Sequence, residues 1–161
     1  MTEQLIAEMV KVFGDDVKRI NHAMAVLWHA QRIRQAEGGD ELVVDAAAIL
    51  HDIGMHEAER KHNSTAAKYQ ELEGPPIAAE ILSKLGIDGS TAEYICRIVG
   101  NHHCARGMNS IEFCCLWDAD RLVNIPEECR SMDKTKLESF IDKVFRTKSG
   151  KEMAKQLYIR N

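Results

Sequence analysis

The sequence predicts an all-α fold, and three observations carry that prediction. Apolar residues recur at intervals of three and four along most of the chain, no segment alternates with period two, and capping residues, glycines and prolines punctuate the periodic runs. Leu5, Ile6, Met9, Val10 and Phe13 share one helical face that Gly14 closes. Asp15 or Asp16 is placed to cap a longer helix reaching about Ala36, stopped by Gly38-Gly39. One face of that helix carries Ile20, Met24, Leu27 and Gln31, and the neighbouring stripe carries His22, Val26, His29 and Ile33. From Glu41 to His51 the chain is apolar on nearly every side apart from Asp45. A helix of that composition is enclosed by neighbours, so the expectation is a bundle with a central buried helix.

The later elements follow from similar signals. The polar, irregular stretch from Gly54 reads as a loop with a helical turn, followed by a short helix from about Ser64 to Leu72. Gly74-Pro75-Pro76 reads as a boundary, because proline suits a first turn and breaks what precedes it. Ile77, Ile81, Leu82 and Leu85 mark the next buried face, ended by Gly86. Ser90-Thr-Ala-Glu93 has capping-box form ahead of the stripe Ile95, Ile98, Val99, His102. Asn109-Ser-Ile-Glu112 offers a further cap to a helix through Phe113, Leu116, Trp117, Asp120 and Val123, which Pro126 is expected to stop. Leu137, Phe140, Ile141, Val144 and Phe145 give an amphipathic helix, and a short one is expected after Gly150. At 161 residues this is a single domain over 1–161, with its core at about 17–125 and C-terminal helices at 133–158 packing on it.

Composition narrows the function classes. A formal charge of -4 with no basic arm leaves no electrostatic footprint for a nucleic-acid polymer. No apolar run is long enough to cross a bilayer, and the acidic start is unlike a signal peptide. Cys96, Cys104, Cys114, Cys115 and Cys129 form an odd set without a C-x-x-C pair, which suits thiols in a reducing cytosol. The expectation is a cytoplasmic protein without a membrane segment.

The informative residues are polar ones on apolar faces. His51-Asp52 follows the buried helix directly, where an imidazole also suits the negative end of the helix dipole. His102 continues an apolar stripe and points inward, with His103 beside it. Asp118 and Asp120 lie on a helix with apolar flanks, and Arg121 is at hand as an ordinary ion-pair partner. His22 and His29 cannot be separated by spacing. Each group alone has a structural explanation, but four separate helices each bring a nitrogen or oxygen donor to an apolar face. Facing helices of a bundle build metal sites in that way, and imidazole with carboxylate suits iron, zinc, manganese, cobalt or nickel.

The ordered set resembles a known family. His22-Ala-Met-Ala-Val, Leu50-His51-Asp52-Ile53-Gly54, Ile98-Val-Gly-Asn-His102-His103 and Asp118-Ala-Asp120-Arg121-Leu122 resemble the HD-domain metal-dependent phosphohydrolases over roughly residues 17–125. Glu71-Leu-Glu73-Gly74-Pro75-Pro76 also resembles a small bacterial branch of predicted hydrolases. The resemblance implies an HD-type helical bundle and a metal held by His22, His51, Asp52 and Asp120. It also implies water activated by the ion, with Asp52, His102, His103 and Arg121 as candidate catalytic groups and Arg106 as a further cation. Two-metal members add histidines at the H-H segment, matched by His102 and His103, and at a position that falls here near Glu73-Gly74. Glu73 is the oxygen donor available there for a second ion. Members acting on nucleotide monophosphates often carry an acid three residues after the doublet, and the cyclic-dinucleotide type carries lysine. This chain has Met55, followed by His56 and Glu57, with Arg60 and Lys61 as candidates for a substrate-facing loop. The expected partner is a small phosphate ester or nucleotide, with a homodimer left open. Two alternatives stand beside phosphoester hydrolysis: a di-iron oxygenase on the same helices, and a non-catalytic module that binds a metal or nucleotide.

Overall fold

The structure is a computed structural model and describes residues 1–160. Among these, nine helices and no strand are found: α1 (Thr2–Phe13), α2 (Val17–Glu37), α3 (Glu41–Leu50), α4 (Met55–His62), α5 (Ala67–Lys84), α6 (Gly89–Val99), α7 (Ile111–Glu128), α8 (Lys134–Val144) and α9 (Lys148–Tyr158). α3 is the axis of the bundle. Every residue from Val43 to Leu50 is buried, and α1, α2, α6 and α7 pack around it. Its one buried charge, Asp45, accepts from Thr2 Oγ1 at 2.7 Å and from Gln31 Nε2 at 3.1 Å, which resolves the cost of burying it. Asp16, Asp40, Ser110, Asp133 and Thr147 cap their helices as short polar side chains do.

Four local expectations are corrected. The polar stretch after Gly54 is a helix, α4, held by pairs one turn apart such as Glu57 with Arg60 and Lys61, and packed along α5. The cap of α6 is Asp88, which accepts from Thr91 N at 3.0 Å, so the Ser90 box is not the one used. α5 runs unbroken through Pro75 and Pro76. There the local preference is overruled by packing: Pro75 Cγ lies 3.1 Å from where a Cβ of Gly100 would stand, and Cys96 Sγ donates to Pro75 O. α7 likewise continues past Pro126. Proline at 126 leaves the Leu122 carbonyl without its helical N–H, and Tyr158 Oη donates to that oxygen at 2.8 Å. The last turn of α9 thereby completes a helix thirty residues earlier in the chain.

Two connections fix the helices around the future site. Gly54, which ends the turn after α3, touches the backbone of α5. A Cβ there would run into Gly74 N, stand 2.7 Å from Gly74 Cα, and reach 3.0 Å from Gln70 O. Asp118 is fully buried and ties α7 to the start of α9, accepting from Arg146 N at 2.9 Å and from both Thr147 N and Thr147 Oγ1 at 2.7 Å. Because the atoms facing Gly54 are backbone, they cannot move aside. Gly54→Ala should therefore lower stability by about 2–3 kcal/mol, read as a lower urea midpoint at unchanged slope. An unchanged midpoint would show that the two backbones are not in contact.

Candidate metal centre

The turn after α3 carries the doublet into the middle of the molecule. His51 is 1 % exposed and Asp52 8 %. His51 Nδ1–H donates to Ala48 O at 2.8 Å, so the free Nε2 is aimed away from the helix. α2 brings His22 and α7 brings Asp120 to the same point. His22 Nε2 stands 3.2 Å from His51 Nε2, 3.1 Å from Asp120 Oδ1 and 3.6 Å from Asp52 Oδ2. His51 Nε2 stands 3.5 Å from both Asp52 Oδ2 and Asp120 Oδ1. Nitrogen and oxygen donors bound about 2.1 Å from a shared ion stand about 3.0–3.4 Å from one another. The five separations above, 3.1–3.6 Å, lie at or slightly above that spacing, and His22, His51 and Asp52 form a mutually close group. The residues present fit a divalent ion.

Electrostatics agrees. Burial works against a charged His51 ring, but Asp52 and Asp120 outweigh it and raise its pKa to about 9. Burial would raise both carboxyls, yet the imidazoles hold them well below the usual range: His51 and His102 act on Asp52, and His22 and His51 on Asp120. Two carboxylates held charged in a buried place draw in positive charge. Asn124, one turn on from Asp120, donates to Asp120 Oδ1 at 3.0 Å and orients it.

A second group of donors adjoins the first: Asp52, His102 and His103 have ligand atoms within 4.8 Å of one another. His102 Nδ1–H donates to Val99 O at 2.7 Å, leaving its Nε2 buried, without a hydrogen-bond partner, and 3.5 Å from Asp52 Oδ1. Two lone-pair atoms at that distance call for a proton or a cation between them. His103 is different. Burial, then the neighbouring His102, lowers its pKa to about 4, so it is uncharged at neutral pH. Its Nε2 lies 3.0 Å from Gln70 Oε1, and Glu71 Oε1 accepts from the His103 and Cys104 backbone N–H groups at 3.1 and 3.0 Å. Arg106 Nη2 pairs with the other Glu71 oxygen at 2.8 Å across a turn in which Ala105 and Arg106 both have positive φ.

Both groups open on one cleft of about 280 Å³, lined by Lys18, Arg19, His22, Asp52, Met55, Gln70, His103, Asp120, Asn124, Glu127 and Glu128. None of the cations expected from the sequence lines the cleft, although Arg121 Nη1 stands 3.9 Å from Asp120 Oδ2. Arg121 lies over the Trp117 ring with its carbon 3.3 Å from the centroid and donates to Trp117 O, so it does not line the cleft. Arg60 pairs with Glu57, and Lys61 with Glu57 and Glu73. Glu73 is not brought to the second group, because its oxygens take Lys61 at 2.9 Å and His62 at 3.0 Å. Gly74 presses on Gly54 and Val99, and the α5 side chain that faces His103 is Gln70, one turn earlier. His29 stands apart beside Trp28, and His56 pairs with Asp16 at 2.8 Å. Sequence reading missed Lys18 and Arg19, although they precede His22 by one turn on α2, and missed Asn124 one turn after Asp120. Gln70 gave no signal, lying on the far side of an expected helix boundary.

Residues 19–125 match the family described as HD domain. The chain belongs to the HD-domain family. A crystal structure of a predicted HD superfamily hydrolase from an uncultured Thermotogales bacterium superposes with a TM-score of 0.73 at 24 % identity, over 97 % of this chain and 84 % of that one. That likeness is one of fold. A search of curated proteins finds no match. In this HD-domain chain the doublet, His22 and Asp120 all fall inside the matched stretch.

Ion binding requires His51 Nε2 without a proton, and in the metal-free protein the ring keeps one up to about pH 9. Affinity for a divalent ion should therefore rise with pH from neutrality toward 9, each ion displacing about one proton at pH 7. Calorimetry in buffers of different ionisation enthalpy counts that proton, and a count of zero would remove the assigned charge state.

Proposed function

We propose that the chain is a metal-dependent phosphohydrolase acting on a phosphate ester, a nucleotide or a related small molecule. One divalent transition ion (Fe, Zn, Mn, Co or Ni) would be held by His22, His51, Asp52 and Asp120. The observation that carries this reading is the spacing of those four donors at the floor of a cleft whose rim has two free cations. When bound, such an ion polarises a phosphate oxygen and lowers the pKa of a water toward about 7, supplying hydroxide at neutral pH.

The remaining work falls to the chain. Lys18 and Arg19 make no side-chain ion pair among the described residues and face the cleft beside His22, so they draw in and orient the phosphate. They take the role that the sequence suggested for Arg121. His102 Nε2, buried 3.5 Å from Asp52 Oδ1, backs that carboxylate from behind the cleft. His103 is an uncharged hydrogen-bonding wall. Met55 gives the cleft an apolar side where monophosphate-cleaving members have an acid. Burial and then Asp120 raise the pKa of Glu128, a carboxyl that also lines the cleft. The oxidative alternative asks α5 for another imidazole ligand, and α5 brings Gly74 and a Glu73 already taken by Lys61 and His62.

With a generic phosphate monoester, chelation should abolish turnover and added divalent ion restore it. Asp52→Ala should lose both bound metal and turnover, and a fully active variant would end the proposal. Lys18→Ala and Arg19→Ala should each raise KM about tenfold with kcat little changed, while Arg121→Ala leaves KM as it was. A KM shift confined to Arg121→Ala would reverse that assignment.

A further inference from the structure

The cleft over the metal centre has two walls of opposite charge, and each begins one turn from a ligand. On α2, Lys18 and Arg19 precede His22 by four and three residues and share its side of the helix. On α7, Asn124 follows Asp120 by four residues, and Glu127 and Glu128 stand three and four beyond Asn124. That spacing continues one stripe away from the centre. No ion pair joins the two walls, and Glu127 and Glu128 have no hydrogen-bond partner among the described residues. Asn124 directs its Nδ2 to Asp120, which leaves its Oδ1 as an acceptor. The α7 wall is therefore a row of acceptors, one amide oxygen and two carboxylates, along about 6 Å of helix.

The rest of the lining narrows the ligand further. A cleft of about 280 Å³ is at the small end of ligand sites, which run about 300–1,000 Å³. Among the described residues that line it, none is Phe, Tyr or Trp, and Met55 is the one apolar side chain. Nucleobases are held chiefly by stacking on aromatic faces. His103 is a poor substitute, because its ring packs against His102 with centroids 4.0 Å apart and its Nε2 is tied to Gln70. An ester with a hydrocarbon leaving group would strip water from the α7 acceptors and return nothing. Hydroxyl groups would replace that water with donors of their own. A lone ammonium would answer one carboxylate, not acceptors spread over a whole turn.

We propose that the substrate is a small hydroxylated phosphate ester, a sugar or polyol phosphate. Its phosphoryl group lies against Lys18 and Arg19, and its hydroxyls donate to Asn124 Oδ1, Glu127 and Glu128. This rests on the phosphohydrolase reading given above and adds the alcohol part to it: α2 reads the phosphate, and α7 reads what the phosphate is attached to.

Turnover by the full chain loaded with Mn²⁺ tests this on ribose 5-phosphate, adenosine 5′-monophosphate, phenyl phosphate and 2-aminoethyl phosphate. Ribose 5-phosphate should exceed each of the others in kcat/KM by about tenfold or more, the scale of a hydrogen bond to a charged acceptor. Glu127→Ala and Glu128→Ala should each cut the ratio of ribose 5-phosphate to phenyl phosphate about tenfold, mainly through KM. Damage to the fold would instead lower both substrates and leave their ratio, and both side chains are exposed. Lys18→Ala should weaken every ester alike. Adenosine 5′-monophosphate or phenyl phosphate turned over as well as ribose 5-phosphate would overturn the inference, as would a ratio that neither glutamate variant changes. A preference for 2-aminoethyl phosphate would give the carboxylates to an ammonium and overturn it too. Turnover of no ester by the metal-loaded chain would remove the phosphohydrolase reading itself, and this inference with it.

Discussion

Two carboxylates and two imidazole nitrogens converge at the end of a helix that is buried from Val43 onward. Inside hydrocarbon such a convergence is repulsive unless positive charge is supplied, and the rest of the architecture is arranged around that need. α3 has no polar face because it has no solvent side. Its one buried acid, Asp45, is answered by Thr2 and Gln31, and its last turn ends in the doublet. α2 and α7 flank it and each contributes one donor, His22 and Asp120. The imidazoles are not free to turn: backbone carbonyls one turn back, Ala48 and Val99, hold the Nδ1 hydrogens of His51 and His102. Helix termini thus do the aiming, because their carbonyls have no N–H of their own to satisfy.

How much of this the sequence made legible follows from the range of the forces involved. The all-helical class, the enclosed α3 and the cap at Asp16, one of the two acids offered, are local or periodic properties and are as expected, while the cap of α7 falls on Ser110, one residue beyond Asn109. The donors that converge were nameable because polar atoms on apolar faces are costly without partners, and the order of those residues resembles the HD domain. What was not legible depends on contacts between distant segments. Pro75 and Pro126 looked like stops because the local chain has no way to answer a missing N–H or a crowded ring. The answers come from Gly100 and Tyr158, far along the chain. The split of α5 at Pro75 hid Gln70 and Glu71 from consideration beside the histidine pair. His22 and His29 differ by two turns on one stripe, and only the packing of α2 on α7 decides which faces Asp120.

The charge roles show the same division. Arg121 adjoins a ligand in sequence and was the natural cation, but neighbouring residues on a helix point about 100° apart. Arg121 accordingly turns to the face of Trp117, and the cleft receives its cations from α2. Residues one turn from a ligand, Lys18 and Asn124, share its face. Helical spacing, rather than adjacency, is the better guide to what surrounds a site on a bundle.

The hydroxyl of Tyr158 on the Leu122 carbonyl has a bearing on how the protein matures during synthesis. α7 carries Asp120, and its proline leaves a gap in the ladder one turn beyond that ligand which only the much later α9 fills. Asp118, two residues before the ligand, is likewise satisfied by the entry to α9. While the nascent chain is still short of α9, the stretch of α7 around Asp120 lacks both of these ties, the two contacts from that segment which fix its register.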